Sequence, residues 1–136
     1  MNISVVLVSA LAYFVVGFIF HMPPLGKIWM KLNNIQMPSG PPSMSSMWKQ
    51  MASNFIMNVV CAYILSGVIL TGSVAYGNMS AFTGAVAAIF MWLGFVVTNT
   101  SNDVIWMGKN KKAWGYEMLS TLVGFIVMGA ILGGWR

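Results

Sequence analysis

The side chains able to do chemistry are few, and they cluster. His21 ends one apolar run. Asn54 and Asn58 open a second, four residues apart and so on one face of a helix. Asn99, Asn102 and Asp103 follow a third, and Tyr116 and Glu117 open a fourth. Acids at membrane depth are costly and mark functional sites by default. On that reading Asp103 and Glu117 bind a cation or proton, His21 titrates or ligates, and the Asn amides orient a ligand. The competing reading puts the same residues at headgroup level, where polar groups cost little. Asn99 and Asn102 then turn the chain after the third run. Glu117 sits at the N-terminus of the fourth helix, favoured by its dipole, or pairs with Lys111 or Lys112.

Other chemistries find less support. There is no Ser-His-Asp set, no Cys-His nucleophile, no phosphate-binding Gly loop and no H-E-x-x-H, so an enzyme is the least supported class and no catalytic residue is assigned. The single cysteine, Cys61, lies in an apolar run, which excludes an internal disulfide and a Cys-based metal site. Among thirteen methionines, Met44, Met47 and Met51 would share one helix face, and thioethers suit Cu(I). Methionine also fills irregular gaps between helices, and no Cys or His cluster accompanies these three. No metal site is assigned and no cofactor is expected.

The elements that must position these residues follow from composition. In 136 residues, 58% are hydrophobic and 7% charged, against roughly 25% charged in soluble domains. The expectation is a single integral membrane domain, all-α. The +5 net charge is assigned to one membrane face, not to nucleic acid. Residues 1–4 carry no Lys or Arg and no cleavage site follows Phe20, which favours a retained helix over a cleaved leader. Four apolar runs, Ile3–Phe20, Phe55–Gly72, Phe82–Thr98 and Met118–Trp135, each 17 or 18 residues, lie at the short end of the ~17–25 needed to span a bilayer. They lack the alternation of barrel strands. With their flanks they predict helices over about 3–21, 53–73, 80–99 and 115–135, with cytoplasmic loops 22–52 and 100–114.

Lys27, Lys31 and Lys49 lie in the first of these loops and Lys109, Lys111 and Lys112 in the second. The connection around Tyr76-Gly77-Asn78 has no basic residue, and only Arg136 lies at the C-terminus. The positive-inside rule makes the lysine side cytoplasmic and places both termini outside, in a bacterial inner membrane. Pro23-Pro24 should stop the first helix. Leu25 to Leu32 should form a short amphipathic turn in the interface, with Ile28 and Trp29 inward and Lys27 and Lys31 toward water. Ser45 or Ser46 should cap the next helix.

The halves look duplicated. Gly17-Phe18 and Ile28-Trp29-Met30 align with Gly94-Phe95 and Ile105-Trp106-Met107, and Ile64, Gly67 and Gly72 align with Ile126, Gly129 and Gly134. The expected fold is a four-transmembrane-helix bundle of two tandem helical hairpins, a parallel pseudo-repeat. Gly67, Gly84, Ala88, Gly129 and Gly133 are the expected close-packing positions, in a GxxxG and small-xxx-small pattern. They would hold the bundle together or form a homodimer, the first being favoured. Trp29, Trp48, Trp106, Trp114 and Trp135 are expected interface anchors, and Trp92 should pack within the bundle.

Gly84, Met91-Trp92-Leu93-Gly94-Phe95, the Asn-containing turn, the lysine loop and Gly129-Ala130-Ile131-Leu132 ending at Trp135 together resemble an uncharacterised bacterial membrane family, domain of unknown function seventeen-sixty-one. Gly17, Pro23-Pro24 and Gly26-Lys27-Ile28-Trp29-Met30 match its first helix and turn, while Phe20-His21 stands where the family often has a Trp-Tyr pair. The resemblance implies a small four-helix membrane protein and no established activity. The leading expectation is a non-enzymatic accessory or assembly protein, in contact with membrane lipid, acting by helix packing in a homo-oligomer or larger complex. The alternative is a small ion- or proton-coupled transporter or channel with a cytoplasm-facing polar pocket.

Overall fold

The computed structural model describes residues 2–21, 25–32, 44–77 and 80–135, without the side chains at 26, 29, 44–47 and 76. The chain folds as α1 (Ile3–His21), α2 (Leu25–Leu32), α3 (Met44–Tyr76), α4 (Ala81–Met91), a π-helical turn (Trp92–Val97), α5 (Thr98–Met107) and α6 (Lys111–Gly134). α4, the π turn and α5 form one continuous rod. Four segments are long and apolar enough to cross a membrane: Ile3–His21, Trp48–Ala75, Ala81–Met107 and Lys111–Gly134. The protein is an all-α, multi-pass membrane bundle.

Local chemistry sets the helix ends. Asn2 accepts the Ser4 N–H at 3.0 Å through its side chain, satisfying one of the donors a helix start leaves open. Ser80 and Thr83 form a reciprocal capping box at the head of α4: Ser80 Oγ accepts the Thr83 N–H, and Thr83 Oγ1 accepts the Ser80 N–H at 2.6 Å. Asn110 caps α6 by accepting the Lys112 N–H at 2.9 Å. α5 ends at Gly108, whose φ of 68° is left-handed and whose N–H bonds to the Asp103 carbonyl, a glycine stop.

Several helices run beyond their apolar runs. α3 starts at Met44 rather than near 53, so Ser45 and Ser46 fall inside it instead of capping it. Residues 44–53 contain no Gly or Pro to break a helix. The third span continues to Met107, so Asn99, Asn102 and Asp103 lie on α5, not in a loop, and only 108–110 separate it from α6. Between Phe95 and Met107 there is again no helix breaker; polarity alone does not end a helix that has left the bilayer core. The Pro23–Pro24 stop lies outside the described residues. In α2, Lys27 and Lys31 are exposed, but Ile28, expected inward, is 48% exposed.

α6 is the central helix, flanked by α1 on one side and α4 on the other. α3 packs mainly on α1, while α3 and α4 barely touch. Val5, Val6, Ala10, Leu65, Ile69, Phe125, Met128 and Leu132 form the core between α1, α3 and α6. Gly124 makes a notch for Tyr13: a Cβ there would overlap the Tyr13 ring, which meets Phe125 edge-on at 5.8 Å. The seam between α4 and α6 is backbone against backbone. A Cβ on Gly84 would lie 2.9 Å from Gly133 Cα, and one on Gly129 would lie 2.6 Å from Ala88 Cβ. Lipid gives helices no hydrophobic reason to associate, so such close approach supplies the contact. The two hairpins are present, but their packing is not twofold. The equivalents of Gly84 and Gly129 are Leu7, which is exposed, and Gly67, which is half-buried. Leu7 cannot permit the approach that Gly84 permits.

Candidate functional site

The polar residues that converge do so where α6 crosses the corner between α1 and α2. Successive residues of α6 reach successive residues of α1. The Tyr116 hydroxyl donates to the Phe20 carbonyl at 2.5 Å, with the Leu25 carbonyl at 3.1 Å. Its ring meets Phe20 at 5.7 Å. One side chain therefore serves an open carbonyl at the end of α1 and the first residue of α2. One residue on, Glu117 Oε1 lies 3.2 Å from His21 Nε2. Farther out, Asn110 Nδ2 donates to the Leu32 carbonyl at 3.2 Å, closing the far end of α2.

The hydrogen bonds of His21 restrict its protonation. Nδ1 lies 2.7 Å from the Gly17 carbonyl oxygen, which can only accept, so Nδ1 carries a proton. Nε2 faces a carboxyl oxygen. A hydrogen bond there requires one further proton, either on Nε2, giving imidazolium and carboxylate, or on Glu117, giving imidazole and carboxylic acid. The pair is thus a one-proton site across two helices. It is half-buried, with side chains 31% and 27% exposed, and Tyr13 and Tyr116 lie within electrostatic range of Glu117.

Two indole–hydroxyl bonds flank Glu117 and tie α6 to the third span. Trp92 Nε1 donates to Thr121 Oγ1 at 2.9 Å, and Trp114 Nε1 donates to Thr100 Oγ1 at 3.1 Å. The donors sit on opposite helices. On α6 the two positions are seven residues apart, about 20° short of two full turns. On the third span they are eight apart, which in an unbroken α-helix would be about 80° out of line. The π turn at Trp92–Val97 takes up one extra residue, and both side chains face α6.

Not all the expected residues join this cluster. Glu117 lies in the second turn of α6, not the first, because the helix begins at Lys111; its described partner is His21 and not Lys111 or Lys112. Asp103, Asn99 and Asn102 are exposed on α5, and none is among the described partners of His21 or Glu117. Asn58 is 7% exposed and donates to Asn54 Oδ1 at 3.0 Å; both line an open groove with Lys49, Gln50, Ser53 and Met57. A second cavity lies at the opposite end of the bundle, among Asn2, Val5, Ser66, Ile69, Leu70, Leu132 and Trp135. Neither includes His21 or Glu117. Among the described residues no group of three His, Cys, Asp or Glu could hold a metal. Of the methionine triplet, the side chains of Met44 and Met47 lie outside the described residues.

Of the tryptophans, Trp48, Trp106 and Trp135 are exposed. Trp114 is half-buried, and its indole is turned inward to Thr100, tying α6 to the third span. The Trp29 side chain lies outside the described residues. Thr100, Thr121 and Asn110 play parts that their types alone do not announce. For the two threonines the available signal was a hydroxyl on a membrane-spanning helix, which must find an acceptor or a donor within the bundle.

No curated protein and no solved structure matches the chain. A family model described as a protein of unknown function, DUF1761, matches residues 4–133, taking in all four spans and both sides of the His21–Glu117 contact. The chain belongs to that family.

Proposed function

We propose that the protein is a non-enzymatic accessory or assembly protein, acting by lateral helix packing in an oligomer or a larger membrane complex. The observation that carries this reading is the third span, which leans almost wholly on α6. Within its apolar window 11% of residues are buried, against 44% for the fourth span. Away from the glycine seam it presents Phe82, Phe90, Leu93 and Phe95, each more than half exposed. A helix held on one side by a close seam is positioned to accept a second helix on the other, and aromatic side chains offer large contact area at low entropic cost. The His21–Glu117 pair fits the same role: it joins α1 to α6 and lines neither cavity. We place the protein in the bacterial cytoplasmic membrane with both termini outside, from its lysine distribution; a C-terminal reporter active only in the cytoplasm would refute that orientation.

Oxidative crosslinking in native membranes tests the assembly role. With Cys61→Ser as background, Phe90→Cys should give a discrete crosslinked species, and Ile64→Cys, on the exposed face of α3, should not. Equal crosslinking at both positions, or none at Phe90, refutes a dedicated third-span interface. The His21–Glu117 pair favours a second reading, a proton-coupled transporter, because a one-proton site spans two helices there. That reading requires Glu117→Gln to abolish a proton-dependent flux in proteoliposomes, and an unchanged flux removes the residue from it.

A further inference from the structure

Five of the seven basic residues are brought to one place where α2 lies against the head of α6, held there by Tyr116 at Leu25 and by Asn110 at Leu32. Asn110 donates its amide to the Leu32 carbonyl. Lys31 is next to Leu32 and Lys27 lies one turn before it on the same face of α2. Lys109 and Lys111 flank Asn110, and Lys112 follows. All five are exposed. The chain has only two acids: Glu117 faces His21, and Asp103 stands on the last turns of α5, where its carbonyl accepts the Lys109 N–H at 3.1 Å. The N-terminus of α6, a helix of 24 residues, points into the same cluster and adds the positive end of its dipole.

What borders the cluster suggests what it meets. Ile28 is 48% exposed, Ile105 67%, Trp106 81% and Met107 80%. In water such a rim beside five lysines would be hard to explain. At a bilayer surface it is expected, with apolar and indole groups at the acyl boundary and ammonium groups at the level of the phosphates. We infer that α2 and the junction of α5 with α6 together form a binding site for the headgroup of an anionic phospholipid, with Lys27 and Lys31 on one side and Lys109, Lys111 and Lys112 on the other. The site exists because two segments remote in sequence are joined, by Tyr116 at the start of α2 and by Asn110 at its end, beside the lysines. It is distinct from the His21–Glu117 pair and does not depend on the assembly role.

The test is native mass spectrometry of the full-length protein in mild detergent at low salt, titrated with phosphatidylglycerol or phosphatidylcholine of the same chain composition. Phosphatidylglycerol should bind more tightly. The Lys27→Gln/Lys31→Gln and Lys111→Gln/Lys112→Gln variants should each lose affinity by about fivefold per lysine removed. Lys111→Arg/Lys112→Arg should keep it, which separates loss of charge from loss of fold. Lys49→Gln, a lysine outside the cluster, should leave it unchanged. Asn110→Ser preserves a good helix cap but is too short to reach Leu32, and should weaken binding. Equal binding of the two lipids overturns the proposal, as does a loss at Lys49 matching that of a cluster lysine. Unchanged affinity in Asn110→Ser overturns the joined site. Displacement of phosphatidylglycerol by inorganic phosphate but not by chloride of equal ionic strength would make the ligand a free anion and overturn the lipid assignment.

Discussion

Replacing Gly84 by alanine adds one methyl group where there is only backbone to receive it. The new Cβ would stand 2.9 Å from Gly133 Cα and would also meet the Gly129 carbonyl, whereas carbon atoms settle at about 3.5–4.0 Å. No rotamer change relieves a contact with backbone, so α4 and α6 must part by about 0.6–1 Å. A gap of that size forfeits a quarter to a half of each atom-pair attraction, itself about 0.1–0.2 kcal/mol. For a seam of on the order of 40 atom pairs the loss is about 1–4 kcal/mol, overlapping the usual range for overpacking. Alanine's better helix propensity returns up to about 1 kcal/mol. The net expectation is a destabilisation of up to about 3 kcal/mol, measured as equilibrium unfolding in mixed dodecylmaltoside and dodecyl sulfate micelles. The same chemical change at Gly115, where an added Cβ meets nothing within 4 Å, should be neutral or stabilising. If the two variants shift stability in the same direction, the seam does not hold the third span.

Three further outcomes are expected. A double-mutant cycle on His21→Ala and Glu117→Ala should give a coupling of about 1 kcal/mol, as for partly exposed pairs; a coupling above about 3 kcal/mol would mean a desolvated pair and refute the half-buried geometry. Tyr116→Phe keeps the ring against Phe20 but frees the Phe20 and Leu25 carbonyls, so amide exchange should accelerate at the α1–α2 corner and not at Gly84; unchanged exchange would show that the hydroxyl does not hold the corner. Gly124→Ala should destabilise by about 1–3 kcal/mol, with most of that loss relieved in a Tyr13→Ala background. Strict additivity of the two changes would refute the notch.

Much of the frame was legible in the residues. The four spans follow from apolar length, α2 from the spacing of Lys27 and Lys31, and the seam from Gly84, Ala88, Gly129 and Gly133. The helix ends were not, because hydropathy measures where the bilayer ends and not where the helix ends. Asn99, Asn102 and Asp103 look like a turn by composition, yet the first helix breaker after them is Gly108. The partner of Glu117 was hidden for a different reason. Its choice of His21 over a nearby lysine depends on α1 lying beside α6, and no local pattern encodes which helices become neighbours. The duplication visible in Gly17-Phe18 and Gly94-Phe95 also misleads about packing, since one leucine in place of one glycine is enough to give the two hairpins different contacts.

The π turn in the third span has a consequence for comparing this chain with its relatives. It works as a vernier, absorbing one surplus residue while both ends of the rod keep their neighbours on α6. A relative with a plain α-helix there should carry one residue fewer between the positions of Trp92 and Thr100 and still form both indole–hydroxyl bonds. An alignment that treats this single-residue gap as an error would rotate everything beyond it by about 100°, assigning lipid-facing positions to the bundle and bundle-facing positions to lipid.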